Sequence, residues 1–301
     1  MKKFLLNILL FCITGMVLGE LVSRGMHLTS DIPRRTIDEN HIQKYLPDQK
    51  GFWKGGEHSW SINKMGWPGG LPQNFDHLQL IIGDSFIENF MNPQDCHQSV
   101  FLKQMVPGLN FMEAGRSGIS LIEAMEIARQ LDTLNPEKVF FYVKEEDFLE
   151  SIRDIKVLND ITQLSIKEQK VVPGEMKSPG LKRILYNWKF LYYLYNRFPI
   201  MRSANAENSK AEVIKRDFTD EISGLLGYIT KNYNLENKVL VFMPGTPSAI
   251  IEAATDAGIK TITLSAEGDK SWSFDYDSHW TCYGHKQAAK QVADFLNQTH
   301  L

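Results

Sequence analysis

The sequence predicts an α/β fold, a parallel sheet with helices on both faces, preceded by a membrane-crossing helix. Three observations carry this. Short runs of β-branched and aromatic residues (LQLIIG, KVFFYV, KVLVF, IKTITL) recur between stretches whose apolar residues fall at helical spacing. Those runs are apolar at consecutive positions, as strands covered on both faces are. Almost all of the membrane-like hydrophobicity of the 301-residue chain also sits in its first two dozen residues.

The elements follow in order. Lys2 and Lys3 precede an apolar run from Phe4 to Val22. At 1.5 Å per residue this run covers about 28 Å, close to the ~30 Å hydrocarbon core of a bilayer. The two lysines hold the leading end in the cytoplasm, so the rest of the chain is expected outside. Residues 1–25 read as an uncleaved signal-anchor or as a cleaved signal peptide with Val17-Leu18-Gly19 as its site. The run exceeds the ~7–15 apolar residues of a usual signal core, which favours the anchor. Residues 26–76, rich in Gly, Pro, Trp and charge, read as a stem and an irregular N-terminal segment.

From 77 to 301 the α/β pattern takes over. LQLIIGDSF gives a strand and then a helix from Phe86. VPGLNFMEAG gives a second strand, and SLIEAMEIARQLDTL a helix that stops before Asn135-Pro136. KVFFYV, KVLVFMPG and IKTITL supply three more strands, and HKQAAKQVADFLNQ closes the chain as an amphipathic helix. One stretch, at about 154–216, interrupts the alternation as a mostly helical insertion containing LYNWKFLYYLYNRF. Its aromatic residues read as cover for the side of the domain, or as a lid or patch touching membrane or substrate.

Composition removes several function classes. Lys and Arg total 33 and Asp and Glu 36, so 33 − 36 = −3, which gives no electrostatic reason for a nucleic-acid partner. The 43% hydrophobic and 23% charged content excludes a disordered chain. Three cysteines make no disulfide scaffold, and no His/Cys spacing or dinucleotide motif implies a metal or cofactor. Cys96 and Cys282 read as a pair in an oxidising compartment or as two packing residues.

Two segments carry chemistry. Gly83-Asp84-Ser85 ends the first strand of the α/β region, and parallel sheets build their sites beyond the carboxyl ends of strands. A serine at the head of a helix also has backbone N–H groups beside it that stabilise an oxyanion. Equally, Ser85-Phe86-Ile87-Glu88 matches the S-x-x-E capping box, which only starts a helix. The second segment runs from Asp275 to His285, where His279 has aspartates close enough to orient it as a general base for serine. Taken alone, it also reads as a surface-loop histidine beside a helix cap.

Together these blocks resemble the SGNH or GDSL-type hydrolases, serine esterases and acyl-modifying enzymes with a flavodoxin-like three-layer α/β/α fold. The resemblance runs from about Leu78 to the end of the chain, apart from the insertion. It implies that Ser85 is the nucleophile. Glu113-Ala114-Gly115-Arg116-Ser117-Gly118 is similar to the second block, which places an oxyanion-hole glycine at Gly118. Asp277-Ser278-His279-Trp280-Thr281, with Gly284-His285, resembles the last block, with His279 as base. Ser61-Ile62-Asn63-Lys64-Met65-Gly66-Trp67 looks like a segment found before the domain in membrane-anchored bacterial members.

Two departures from the pattern stand out. Tyr276 occupies the usual aspartate position three residues before the histidine, leaving Asp277 and Asp275, of which Asp277 is preferred. Glu146 occupies the asparagine position of the third block. An ionised carboxylate cannot donate to an oxyanion, and losing one such donor typically costs ~10²–10³ in rate. Either Glu146 is protonated, or it turns away and another donor substitutes, or the catalyst is weak or altered. The implied protein is a membrane-anchored, periplasm-facing serine esterase without cofactor. Its substrate would be an ester such as the O-acyl or O-acetyl groups of envelope carbohydrate. An O-acyltransferase using the same site is one alternative, and a non-catalytic glycan-binding or envelope-assembly protein is the other.

Overall fold

The computed structural model describes residues 1–198, 218–268 and 270–299. The end of the expected insertion, 199–216, lies outside the described residues. The chain forms two compact units. One comprises Met1–Arg34, Lys50–Ser59 and Ser178–Arg216, the other Arg35–Gln49, Trp60–Lys177 and Asp217–Leu301.

In chain order the chain opens with α1 (Lys2–Gly25), followed by the hairpin β1 (Arg35–Ile37) and β2 (Gln43–Tyr45). The α/β region then runs β3 (Leu78–Gly83), α2 (Ser85–Glu88), α3 (Gln98–Met105), β4 (Asn110–Gly115) and α4 (Leu121–Leu131). It continues with β5 (Lys138–Val143), α5 (Glu145–Glu150) and the hairpin β6 (Gln163–Ser165) and β7 (Lys170–Val172). Next come α6 (Pro179–Asn187), α7 (Lys189–Arg197) and α8 (Thr219–Asn232). The end of the chain supplies β8 (Lys238–Phe242), α9 (Ser248–Asp256), β9 (Lys260–Thr263), β10 (Ser273–Phe274), β11 (Asp277–Trp280) and α10 (Cys282–Thr299). Within the stretch expected as a mostly helical insertion, the described part is thus a hairpin followed by two helices.

Five strands form one sheet in the order β9-β8-β5-β3-β4, every neighbouring pair parallel. Counted along the chain this is the flavodoxin-like order 2-1-3-4-5. All six residues of β3 are buried, as are the last five of β4 and of β5 and all five of β8. This is the two-sided burial that their continuous apolar runs anticipate.

Alternation along each strand divides the core into two layers. Leu80, Ile82, Phe141 and Phe242 face one layer, packed with residues of α4, α8 and α9. Ile81, Phe140, Tyr142 and Val241 face the other, packed with residues of α3 and α10. The three-layer α/β/α architecture expected from the sequence is therefore present. Trp60, Ile62 and Trp67, from the segment read as a stem, are buried in the same unit as the sheet.

Strand order fixes where a site forms. From β3 the chain goes to β4 on one side and then returns to β5 on the other, and a crevice opens beyond the carboxyl ends at that reversal. Gly83 of β3 lies in register with Gly115 of β4 and Tyr142 of β5, so the three loops start at one level.

Candidate active site

Beyond Gly83 the chain turns at once into α2. The helix is capped by Asp84, whose Oδ1 accepts the Phe86 N–H at 3.0 Å, and Ser85 is its first residue. The capping box expected of Ser85 and Glu88 does not form. The Ser85 hydroxyl is thereby free of the helix, and Oγ lies 2.7 Å from His279 Nε2.

His279 sits on β11 of a short hairpin rather than in the loop its sequence context implied. Residues two apart on a strand share a face, which explains why the aspartate stands two positions before the histidine. Asp277 Oδ1 lies 2.5 Å from His279 Nδ1 and also accepts the His279 backbone N–H at 2.9 Å. Asp275 occupies the exposed turn between β10 and β11, and Tyr276 points to solvent at 76% exposure. The His279 backbone N–H and ring N–H pull the Asp277 carboxyl below its usual range. Ionised Asp277 keeps the proton on Nδ1, which leaves Nε2 to accept the Ser85 O–H. Phe86 stacks on the imidazole with ring centroids 4.8 Å apart.

The two chain ends are stitched together beside this contact. Asn92 Nδ2 donates to the Trp280 carbonyl at 2.9 Å and to Asn89 Oδ1 at 2.6 Å, and Asn89 Nδ2 donates to the Cys96 carbonyl at 3.0 Å. Cys96 and Cys282 form a disulfide with Cα atoms 5.0 Å apart, so of the two readings of these cysteines the paired one holds.

Gly118 lies in the turn after β4 with φ +80°, in the left-handed region that glycine enters without strain. That turn is pinned by a buried carboxylate. Glu88 Oε1 accepts the Ser117 N–H at 2.7 Å and a short hydrogen bond from the Tyr45 hydroxyl. Arg116, 1% exposed, pairs with buried Glu123 at 2.5 Å. Burial raises the Glu88 pKa, with the Ser117 N–H opposing the rise.

The loop after β5 brings a second group of charges. Glu146 is exposed. With Glu145, Phe86, Lys144, Met243 and Trp280 it lines a cavity of about 600 Å³. Lys144 Nζ stands 3.6 Å from Asp84 Oδ2 and 5.2 Å from the centre of the Phe86 ring. Burial raises the Asp84 pKa against the pull of Lys144. Burial and the Asp84 charge push the buried Asp147 carboxyl well above the usual carboxylate range. Among the described residues no group of three or more His, Cys, Asp or Glu is arranged to hold a metal ion.

The sequence-predicted Ser85, Asp277 and His279 are thus brought together. Gly118 lies in the neighbouring loop, and Glu146 lies on the cavity wall. Three contributors escaped the sequence reading. Glu88 looked like half of a helix cap, Lys144 was only the residue that follows the strand KVFFYV, and Asn92 carried no local signal.

No protein-family model and no curated protein matches this sequence. Among solved structures, the chain is similar to the psychrotrophic esterase EstA from Pseudoalteromonas sp. That likeness has 11% identity and a TM-score of 0.37, over 74% of this chain and 98% of that one. It is also similar to a member of the lipolytic protein G-D-S-L family from Veillonella parvula, at 11% identity and a TM-score of 0.39. Here 72% of this chain and 96% of that one are covered. Both TM-scores lie below 0.5, so the fold of this chain rests on its own sheet order and its chemistry on the geometry above.

Proposed function

We propose that the chain is a serine esterase working through an acyl-enzyme on Ser85. The observation that carries this reading is the continuous chain of hydrogen bonds from Asp277 through His279 to Ser85. Ser85 Oγ attacks the ester carbonyl as its proton passes to His279 Nε2, and Asp277 stabilises the imidazolium. Backbone N–H groups of Ser85 and Gly118 receive the negative oxygen. The tetrahedral intermediate collapses, His279 returns the proton to the departing alkoxide, and the acyl group stays on Ser85. A water deprotonated by His279 then attacks the acyl carbonyl and releases the carboxylic acid with Ser85 restored. A sugar hydroxyl in place of water turns the same steps into acyl transfer.

The apolar helix α1 supports a single-pass membrane anchor. The disulfide supports a domain in an oxidising compartment such as the periplasm. An ester on envelope carbohydrate, such as an O-acetyl group, fits that setting. A second reading, a weakly active or non-catalytic glycan-binding protein, is favoured by Glu145 and Glu146 on the cavity wall, where carboxylates accept from sugar hydroxyls but oppose an oxyanion.

Hydrolysis of p-nitrophenyl acetate and covalent labelling by a fluorophosphonate separate the two. A Glu146→Asn variant faster than wild type supports the weakly active reading, whereas the esterase reading expects labelling at Ser85 and a rate loss of at least ~10³-fold in Ser85→Ala. Neither labelling nor turnover in the wild type would sink it and leave the glycan-binding reading standing.

A further inference from the structure

The unit containing α1 carries a second feature, independent of the chemistry at Ser85. Along most of its length α1 is bare: Phe4 is 66% exposed and Phe11 80%. Its last turns are different. Glu20 accepts the backbone N–H groups of Lys189 at 3.2 Å and Phe190 at 2.8 Å, two of the donors that the start of α7 would otherwise leave unpaired. Arg24 Nη2 donates to the Asn187 carbonyl at 2.5 Å, and Lys189 Nζ pairs with Asp31 at 2.6 Å. The Phe190 ring lies directly on Gly19, where a Cβ would meet three ring atoms at 2.7 Å. Helix α7 is therefore bolted to α1 between Gly19 and Arg24.

The depth of that junction follows from helix geometry. From Phe4 to Gly19 the helix rises about 23 Å, less than the ~30 Å hydrocarbon thickness. With Lys2 and Lys3 at one headgroup layer, the Gly19 level does not clear the opposite one. Whatever is fixed there lies in the interface. The pair α6 and α7 is built for that place. Leu181, Ile184, Trp188, Tyr195 and Phe198 are 68, 59, 48, 58 and 60% exposed. Lys182, Arg183 and Arg197 are exposed among them. Aromatic and aliphatic side chains interleaved with basic ones suit the boundary between acyl chains and anionic headgroups.

We propose that α6 and α7 form an interfacial helix pair, seated in the headgroup layer of the bilayer that α1 spans. The proposal rests on α1 being a retained anchor, and it stands whether or not Ser85 is catalytic. Glu20 and Gly19 hold the pair at fixed depth, Trp188, Tyr195 and Phe198 dip toward the acyl chains, and the basic residues meet lipid phosphates.

The test uses the full chain with Cys12→Ser, the one free cysteine among the described residues, and a single new cysteine in Ile184→Cys or Tyr195→Cys. Each is labelled with an environment-sensitive fluorophore and reconstituted in vesicles of phosphatidylethanolamine and phosphatidylglycerol. The expected result is blue-shifted emission, quenched more strongly by a nitroxide lipid labelled near the headgroup than by one labelled near the chain end. Emission unquenched by either lipid places the surface in water or against another protein and overturns the proposal. Stronger quenching from the chain end overturns it too. Alkaline carbonate extraction and N-terminal sequencing read the anchor separately. A mature chain lacking α1 ends both readings, whereas a retained α1 with unquenched labels ends only the interfacial one.

Discussion

Asp277 and Asp275 illustrate what a two-residue shift does at the level of single side chains. Both stand near His279 in sequence, yet only Asp277 shares its strand face, and Asp275 is spent in a solvent-exposed turn. Replacing Asp277 by Asn keeps the shape but offers an amide in place of the carboxylate that fixes the His279 tautomer. Esterase kcat is expected to fall by roughly 10³–10⁴, while Asp275→Asn leaves it unchanged. A pH–rate profile of both variants checks this, and equal losses in the two would remove Asp277 from the role. The proximity of aspartate to histidine was readable from the residues. The preference for Asp277 over Asp275 came from the family resemblance and not from alternation, because a hairpin of two and four residues leaves too short an alternating pattern to show its phase.

Among the elements, the contact between α2 and the turn after β4 decides whether Gly118 is held. Glu88, buried at the end of α2, takes the Ser117 N–H and the Tyr45 hydroxyl. Glu88→Ala leaves both donors unmet in a buried place, at a cost of about 1–3 kcal/mol in stability. It also frees the turn that carries Gly118. Glu88→Gln retains one carboxamide oxygen as acceptor. Fluorophosphonate labelling of Ser85 is therefore expected to slow markedly in the Ala variant and to recover in the Gln variant. An Ala variant that labels at the wild-type rate would show that Glu88 serves stability alone. This contact was hidden because a buried carboxylate bridging β2, α2 and a distant turn leaves no periodic trace. Of the five sheet strands, β3, β5 and β8, buried on both faces, announced themselves as largely continuous apolar runs, whereas β9 at the sheet edge is half-exposed. The β1–β2 hairpin did not, since strands of three residues are too short for alternation to register.

For the molecule as a whole, two buried histidines shape the pH dependence of stability in opposite directions. His285 is fully enclosed, and burial, reinforced by the nearby His97, lowers its pKa from 6.5 to about 3. The unfolded chain takes up this proton below about pH 6.5 and the folded one refuses it until about pH 3. Stability therefore falls on acidification across that window, by up to about 1.4 kcal/mol per pH unit. His97 works the other way. Although burial opposes it, Glu113 at 2.5 Å holds its pKa above 6.5, so its contribution is complete in acid and fades as pH rises through the folded value. Thermal unfolding in detergent between pH 7 and pH 5 is expected to show a declining Tm that His285→Gln flattens. An unchanged slope in that variant would assign the acid sensitivity to other groups.

Ser85 and His279 stand 194 positions apart and meet only through the hairpin near the carboxyl end, beside a disulfide whose cysteines are separated by 186 residues. A ribosome adding ~5–20 residues per second needs roughly 10–40 s to travel from one to the other. On the proposed reading, the serine is made throughout that interval but lacks its base. Chains that stop before β11 are then expected to show no labelling at Ser85, and competence is expected only once β11 and α10 have joined the domain.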